Sequence, residues 1–277
     1  MKTPEQFPNG QAAFRGDGPY WRGFLRHPVR GGLRAIWLVL ELVYALVSFG
    51  LRVRFARQEQ KVAVRKQCIT RHGRRLLRVF NFRGRCEGAI PTSGLVVSNH
   101  LSYLDIVFLG SVMSAVFVSK KEVQSWPLIG PVVTAAGTLY VDREKRTEVA
   151  RLATEIKALL DAGNVVVFFP EGTSSDGESV LPFKSSLLEP AVQAQCPVIG
   201  ASVHYHLPDG DAGQEVCYWR EMTFAPHLLN LLTKKELHGW VKFGEPQEPS
   251  GDRKELARRM QATVAALQAE VKAAALK

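Results

Sequence analysis

Gly94-Leu95-Val96-Val97-Ser98-Asn99-His100-Leu101-Ser102-Tyr103-Leu104-Asp105-Ile106-Val107-Phe108-Leu109 is the stretch that decides the fold. Leu95 to Val97 is a short apolar, β-branched run behind a Pro/Ser/Gly turn signal, and reads as a buried strand. Leu104 to Met113 reads as a helix. Between them lies a polar elbow with a histidine and, five positions on, an aspartate. Strand-to-helix turns of α/β folds project side chains from a rigid edge into a crevice. Five residues of helix rotate through about 500°, so His100 and Asp105 cannot share a helical face. They meet if His100 lies in the turn and Asp105 in the first turn of the helix. The carboxylate then accepts from one imidazole nitrogen and leaves the other as a base. Ser102-x-x-Asp105 also fits a capping box, and the two roles are compatible.

Downstream, strands and helices alternate. Ala115 to Ser119 reads as a strand and Lys120 to Gly130 as a helix ending near Trp126-Pro127. Thr138 to Asp142 is a strand, and Thr147 to Ala162 an amphipathic helix with Val149, Leu152, Ile156, Leu159 and Leu160 on one face. Val165 to Phe169 is a buried strand cut off by Pro170. Lys184 to Gln195 reads as helix, Pro197 to His204 and Trp240 to Gly244 as strands, and Asp252 to Leu276 as a long helix. This alternation predicts an α/β fold with a mostly parallel central sheet flanked by helices.

Upstream, residues 1 to about 20 read as a loose polar arm without the features of a secretory signal. Ala35 to Leu51 is apolar apart from Glu41 and Ser48, and its length is at the lower limit for a bilayer span. Arg22, Arg26, Arg30 and Arg34 precede it, and Arg52, Arg54 and Arg57 follow, so charge gives no orientation. Glu41 would cost about 2–3 kcal/mol in hydrocarbon. A span, an interfacial or re-entrant helix with snorkelling arginines, and a core helix all remain open. Residues 52 to 80 are strongly basic, with a helix expected to break at His72-Gly73, and Val79 to Gly84 reads as a strand. The chain divides into a membrane-associated segment over 1–58 and an α/β domain over 59–277.

The 277 residues carry 36 basic and 26 acidic side chains, a formal charge of +10. Such a surplus suits an anionic partner, and the adjacent apolar segment favours a membrane surface over nucleic acid. Cys68, Cys86, Cys196 and Cys217 are widely separated, which excludes a zinc motif and suits free thiols. His204 and His206 alternate on a strand without a third ligand. No metal and no bound cofactor are expected. Walker, nucleophile-elbow and dinucleotide fingerprints are missing from the sequence.

Asn99 to Asp105 resembles the His-x4-Asp motif of the glycerolipid acyltransferases, in particular the 1-acylglycerol-3-phosphate acyltransferases. Further blocks follow in the family's order. Gly137 to Arg143 resembles Gly-x-x-Phe-x-x-Arg, with Tyr140 in the Phe place. Phe169-Pro170-Glu171-Gly172-Thr173 resembles the Glu-Gly-Thr block. Leu181-Pro182-Phe183-Lys184 matches a Pro-Phe-Lys approach to a helix, and Cys196 to Ala201 resembles an apolar strand block. The blocks span about residues 78 to 205. Two departures stand out: Ser174 replaces an Arg frequent after Glu-Gly-Thr, and Gly200-Ala201 replaces a second proline.

The resemblance implies O-acyl transfer with His100 as base and Asp105 as its orienting partner. Arg143, Glu171, Gly172, Thr173 and Lys184 then serve substrate binding, Arg143 through phosphate. The donor would be acyl-CoA or acyl carrier protein, and the acceptor a lysophospholipid, 1-acyl-glycerol-3-phosphate, giving phosphatidic acid. The implied location is the cytoplasmic face of a bacterial inner membrane. Another lysolipid acceptor, such as lyso-ornithine lipid, and a non-catalytic lipid-binding protein are the alternatives. Backbone N–H groups at Gly172-Thr173 or in the Asn99–His100 turn are candidates for holding the oxyanion.

Overall fold

A computed structural model describes residues 25–141, 146–249 and 252–275, with side chains of 146–150 left aside. In chain order the elements are α1 (Pro28–Phe55), α2 (Lys61–Val79), β1 (Phe82–Glu87), β2 (Gly94–Ser98), α3 (Leu104–Val112), β3 (Ala115–Lys120), α4 (Ile129–Ala135) and β4 (Leu139–Val141). Then come α5 (Arg146–Asp161), β5 (Val165–Phe168), α6 (Glu189–Ala194), β6 (Val198–His206), α7 (Ala212–Glu215), α8 (Phe224–Thr233), β7 (Leu237–Gln247) and α9 (Arg253–Ala275).

The seven strands form one sheet in the order β1-β7-β6-β2-β5-β3-β4. From β6 to β4 all neighbours run parallel, while β7 is antiparallel to β6. Central β2 and β5 are buried throughout, as near-continuous valine runs require when helices cover both faces. Alternation along β2 sends Val96 to one core and Leu95 and Val97 to the other. The first core is closed by α1, α2, α3 and α8, the second by α5, α6 and α9. Gly94 starts β2 at φ +95°, where a Cβ would stand 2.6 Å from the Pro197 carbonyl oxygen. The strand therefore enters the sheet through a position open only to glycine.

Several elements depart from the sequence reading. Helix α2 runs unbroken through His72-Gly73. Gly73 serves a helix crossing instead: a Cβ there would lie 3.0 Å from Val107 O and 3.2 Å from Ser111 N of α3. The segment read as a helix from Lys120 to Gly130 is a 3-10 turn, Lys121–Ser125, and α4 begins beyond Pro127. The proline restricts the residue before it and separates the two. Lys184 to Gln195 likewise divides into a 3-10 turn, Ser185–Leu187, and α6, with Pro190 in the first turn of the helix. The strand expected at Val79 to Gly84 begins only at Phe82, because α2 continues to Val79. Strands β6 and β7 outrun their expected bounds, supporting each other as an antiparallel pair.

Helix α1 is 28 residues long and apolar enough to cross a membrane, but one side of it is packed. Leu38, Leu42, Ala45 and Phe49 are buried against the rest of the chain. Glu41, costly if alone in hydrocarbon, forms a two-pronged ion pair with Arg75 of α2 at 2.7 and 2.8 Å. It also accepts from Trp37 Nε1 at 3.1 Å. Arg30 donates to Thr233 O at 3.0 Å and Arg34 to Leu232 O at 3.3 Å. These guanidiniums satisfy carbonyls that α8 leaves unpaired at its carboxyl end, where a cation is favoured. The opposite face of α1 exposes Leu33, Ile36, Leu40, Val47 and Leu51.

Candidate active site

The carboxyl ends of β2 and β5 are neighbours in the sheet, so the turns that leave them meet. Open parallel sheets bind ligands along this edge. His100 leaves β2, and its Nδ1 stands 2.7 Å from Asp105 Oδ2. Asp105 occupies the first turn of α3 and is fully buried. The same Oδ2 accepts from the backbone N–H groups of Leu101 (2.7 Å) and Ser102 (3.0 Å). The aspartate therefore fulfils half of a capping box while holding the histidine. Ser102 Oγ makes no hydrogen bond among the described residues, so the reciprocal half is missing.

The turn after β5 wraps this elbow. Phe169 stacks on the His100 ring, with centroids 4.1 Å apart and planes inclined by 15°. Ser175 N donates to His100 O at 2.9 Å. Asn99 ties the elbow to β6, donating to Val203 O at 2.9 Å and accepting from Val203 N at 2.8 Å. Tyr205 of β6 donates to Asp105 Oδ1 at 2.6 Å. The imidazole is thus fixed on its Nδ1 side, and Nε2 is the nitrogen available to a substrate.

His100 opens onto a cavity of about 310 Å³. Its wall is mostly apolar and draws on Leu42 of α1, Leu76 of α2, Tyr103, Val132 of α4 and Phe224 of α8. Gly172, Thr173 and Ser174 line it beside His100. Among the described residues, Lys120 is the one lysine or arginine on the wall, at a position where the sequence predicts a helix start. Tyr103 is braced from behind by His227, which is fully buried. Its Nδ1 stands 3.0 Å from the Tyr103 hydroxyl and its Nε2 3.2 Å from Cys217 O. Burial pushes the His227 pKa down to about 4, so the ring is neutral near pH 7.

The structure separates the candidate binding residues. Arg143 lies outside the described residues. Gly172, at φ +78°, and Thr173 are on the cavity wall. Lys184 is exposed and away from that wall. Glu171 is buried and off the wall as well; it joins two loops, accepting from His100 N (3.4 Å) and Leu181 N (3.2 Å). Gly172 N donates to Phe169 O at 3.1 Å. With the N–H groups of His100 and Gly172 engaged, the Thr173 N–H has no hydrogen bond among the described residues. Ser174, in the place of the frequent Arg, donates from its hydroxyl to Tyr218 O and so closes a loop.

Burial raises the Glu171 pKa to about 8, against two backbone N–H donors that favour its ionised form. Below about pH 4.5 both folded and unfolded chains carry the proton. Between that value and about 8 the unfolded chain releases it first, so stability falls as pH rises; above 8 the cost is constant. Glu171→Gln, which cannot ionise, gives up one of the two backbone bonds. It is expected to melt below the parent near pH 5 and to gain on it toward pH 8, by on the order of 1 kcal/mol per pH unit. Thermal melts of both proteins across this range check the sign.

Comparison with known proteins places the chain. The Acyltransferase family matches residues 81–204. Lyso-ornithine lipid O-acyltransferase of Rhodobacter capsulatus is 38% identical over 196 residues, 67% of this chain and 68% of the relative. The protein of the same name from Brucella abortus is 36% identical over 209 residues, 69% of this chain and 77% of the relative. The 1-acyl-sn-glycerol-3-phosphate acyltransferase of Neisseria gonorrhoeae is 33% identical over 146 residues, 50% of this chain and 57% of the relative. In fold, the chain is similar to the crystal structure of the 1-acyl-sn-glycerophosphate acyltransferase PlsC from Thermotoga maritima. The TM-score is 0.64 at 22% identity, over 88% of this chain and 98% of that one. Fold, motif blocks and relatives define an acyltransferase. More particularly, the chain belongs to the acyltransferase family that includes the lyso-ornithine lipid and 1-acylglycerol-3-phosphate acyltransferases.

Proposed function

We propose that this protein transfers a fatty acyl group from a thioester, acyl-CoA or acyl carrier protein, to the free hydroxyl of a lysolipid. The observation that carries the reading is the 2.7 Å His100–Asp105 bond at the mouth of an apolar cavity. His100 Nε2 takes the hydroxyl proton as the oxygen attacks the thioester carbonyl. Asp105 steadies the imidazolium, and the backbone N–H groups of Thr173 and Ser174, both wall residues, are the donors we assign to the oxyanion. Collapse breaks the carbon–sulfur bond, and the proton passes from His100 to the departing thiolate. Ester and free thiol are the products.

Two acceptors follow from the relatives. The ordered motif blocks, with Arg143 among them, support 1-acyl-glycerol-3-phosphate and phosphatidic acid as product. Two observations favour lyso-ornithine lipid, and we take it as the preferred acceptor. Relatives of that name align over 68% and 77% of their own length. Ser174 stands where a cation is frequent and is turned into a loop; an acceptor without a phosphomonoester needs fewer cations. Thiol release from acyl-CoA in mixed micelles, with the two lysolipids supplied singly and in competition, tests the order. Preferential use of lysophosphatidic acid would restore the first reading. Liposome binding with no turnover on either acceptor would leave a lipid-binding protein.

The exposed apolar face of α1 and the basic α2 fit an interfacial position on an anionic membrane, on the cytoplasmic side where thioester donors reside. Residues 1–58 would supply this contact and 59–277 the catalytic domain. Leu40 and Val47 are 62% and 52% exposed, so charging them spares the core. Leu40→Glu with Val47→Glu is expected to weaken co-sedimentation with anionic liposomes at least tenfold, about 1.4 kcal/mol. Unchanged binding would remove α1 from the contact.

A further inference from the structure

Asp105 is held by four donors, and the fourth comes from across the fold. Three are local: His100 Nδ1 and the N–H groups of Leu101 and Ser102 all converge on Oδ2. Oδ1 is held by Tyr205 of β6, one hundred positions away, at 2.6 Å. Tyr205 is 2% exposed as a residue, and its ring leans on Phe82. Burial and the adjacent Asp105 charge raise the Tyr205 pKa well above its ordinary value, so the phenol keeps its proton and is the donor. The Asn99 clamp on Val203 fixes the same end of β6 to the elbow, so Tyr205 reaches the carboxylate from a rigid strand.

We infer that Tyr205 is a positioning residue for acyl transfer, acting on His100 solely through Asp105. With one carboxylate oxygen pinned by the phenol and the other by the elbow, the carboxylate plane cannot rotate. Its Oδ2 lone pair stays aimed at His100 Nδ1, and Nε2 stays aimed at the cavity. Partners of this kind orient and tune the group they hold, and their loss costs about 10- to 100-fold in activity. Among the described residues, Glu171 and Cys217 are the other ionisable groups that feel the Asp105 charge. Glu171 bonds to His100 N and Leu181 N and Cys217 to Asp176 O instead, so among the described residues Tyr205 is the side chain that controls Oδ1.

The inference rests on the acyl-transfer reading, and the test keeps the two apart. Tyr205→Phe keeps the ring and removes the donor. It is expected to lower kcat about tenfold or more with KM within about twofold. In an Asp105→Ala background the same change should alter kcat by less than about twofold, because the acceptor it acts through has gone. Equal losses in both backgrounds would show a general structural role and overturn the inference. Tyr205→3-fluorotyrosine, placed at this site alone, preserves the donor and should keep at least about half of the parent kcat, a rescue that covers the case of a poorly folded Phe variant. A second readout is independent of turnover: the ring nitrogens of 15N-histidine-labelled protein, with the His100 signals assigned by their loss in His100→Gln. The Nδ1–H signal should move in Tyr205→Phe and stay in place in the fluorotyrosine protein. An unmoved signal overturns the inference. If the parent transfers no acyl group to any lysolipid, the functional reading fails while the spectrum still decides the role of Tyr205.

Discussion

His100→Ala is expected to reduce acceptor-dependent thiol release from acyl-CoA by about a thousandfold, within the range for loss of a positioned base. The fold should survive. The His100 side chain is 23% exposed and contributes one hydrogen bond, to Asp105. After its loss that carboxylate still has Leu101 N, Ser102 N and the Tyr205 hydroxyl. What disappears is the stacking on Phe169 and the Nε2 lone pair at the cavity mouth. The measurement is single-turnover transfer with enzyme in excess, beside a thermal melt. A melt within a few degrees of the parent with transfer nearly abolished assigns the loss to chemistry. Transfer within tenfold of the parent would remove His100 from the base role.

Asp105→Ala is expected to match that loss of transfer and, unlike it, to cost stability. The substitution leaves two backbone N–H groups and a phenol without an acceptor inside a dry elbow. Each orphaned buried donor costs about 1–3 kcal/mol, and neighbours sharing one partner do not add fully. A total of about 3–5 kcal/mol follows. At about 2–4 °C per kcal/mol for a chain of this size class, the melting point should fall by roughly 10 °C. Calorimetry of the two alanine variants side by side separates the roles: His100 serves the reaction, Asp105 both the reaction and the elbow. A melting point for Asp105→Ala equal to that of His100→Ala would mean that the four-donor arrangement contributes nothing to the fold.

Much of this site is legible in the sequence, for a physical reason. The His100–Asp105 pair is made within five residues, where chain geometry alone limits what can meet. The buried strands announced themselves in the same way, since Leu95-Val96-Val97 and Val165 to Phe168 have no polar side to offer water. The helix break expected at His72-Gly73 failed because local propensity penalises glycine in a helix, whereas here the missing Cβ, which would stand 3.0 Å from Val107 O, lets α3 pack closely. Glu171, taken for a substrate contact from its motif, turned out to bridge two loops. Its motif marks a turn equally well, and only the position of Leu181 shows where the carboxyl points.

The sequence by itself therefore determined the alternation of strands and helices, the elbow after β2, the histidine and its aspartate, and membership of an ordered set of motif blocks. Each depends on residues close in the chain or on a linear pattern. The tertiary structure decided what crosses the fold: Tyr205 on Asp105, Glu41 on Arg75, Asn99 on Val203, and the apolar wall that α1, α4 and α8 raise around His100. These contacts join positions 34 to 104 residues apart. Periodicity places a side chain on a face of its own element, but its partner is set by how elements pack. That is why Tyr205, set between His204 and His206 in β6, carries no sign in the sequence that its partner is Asp105.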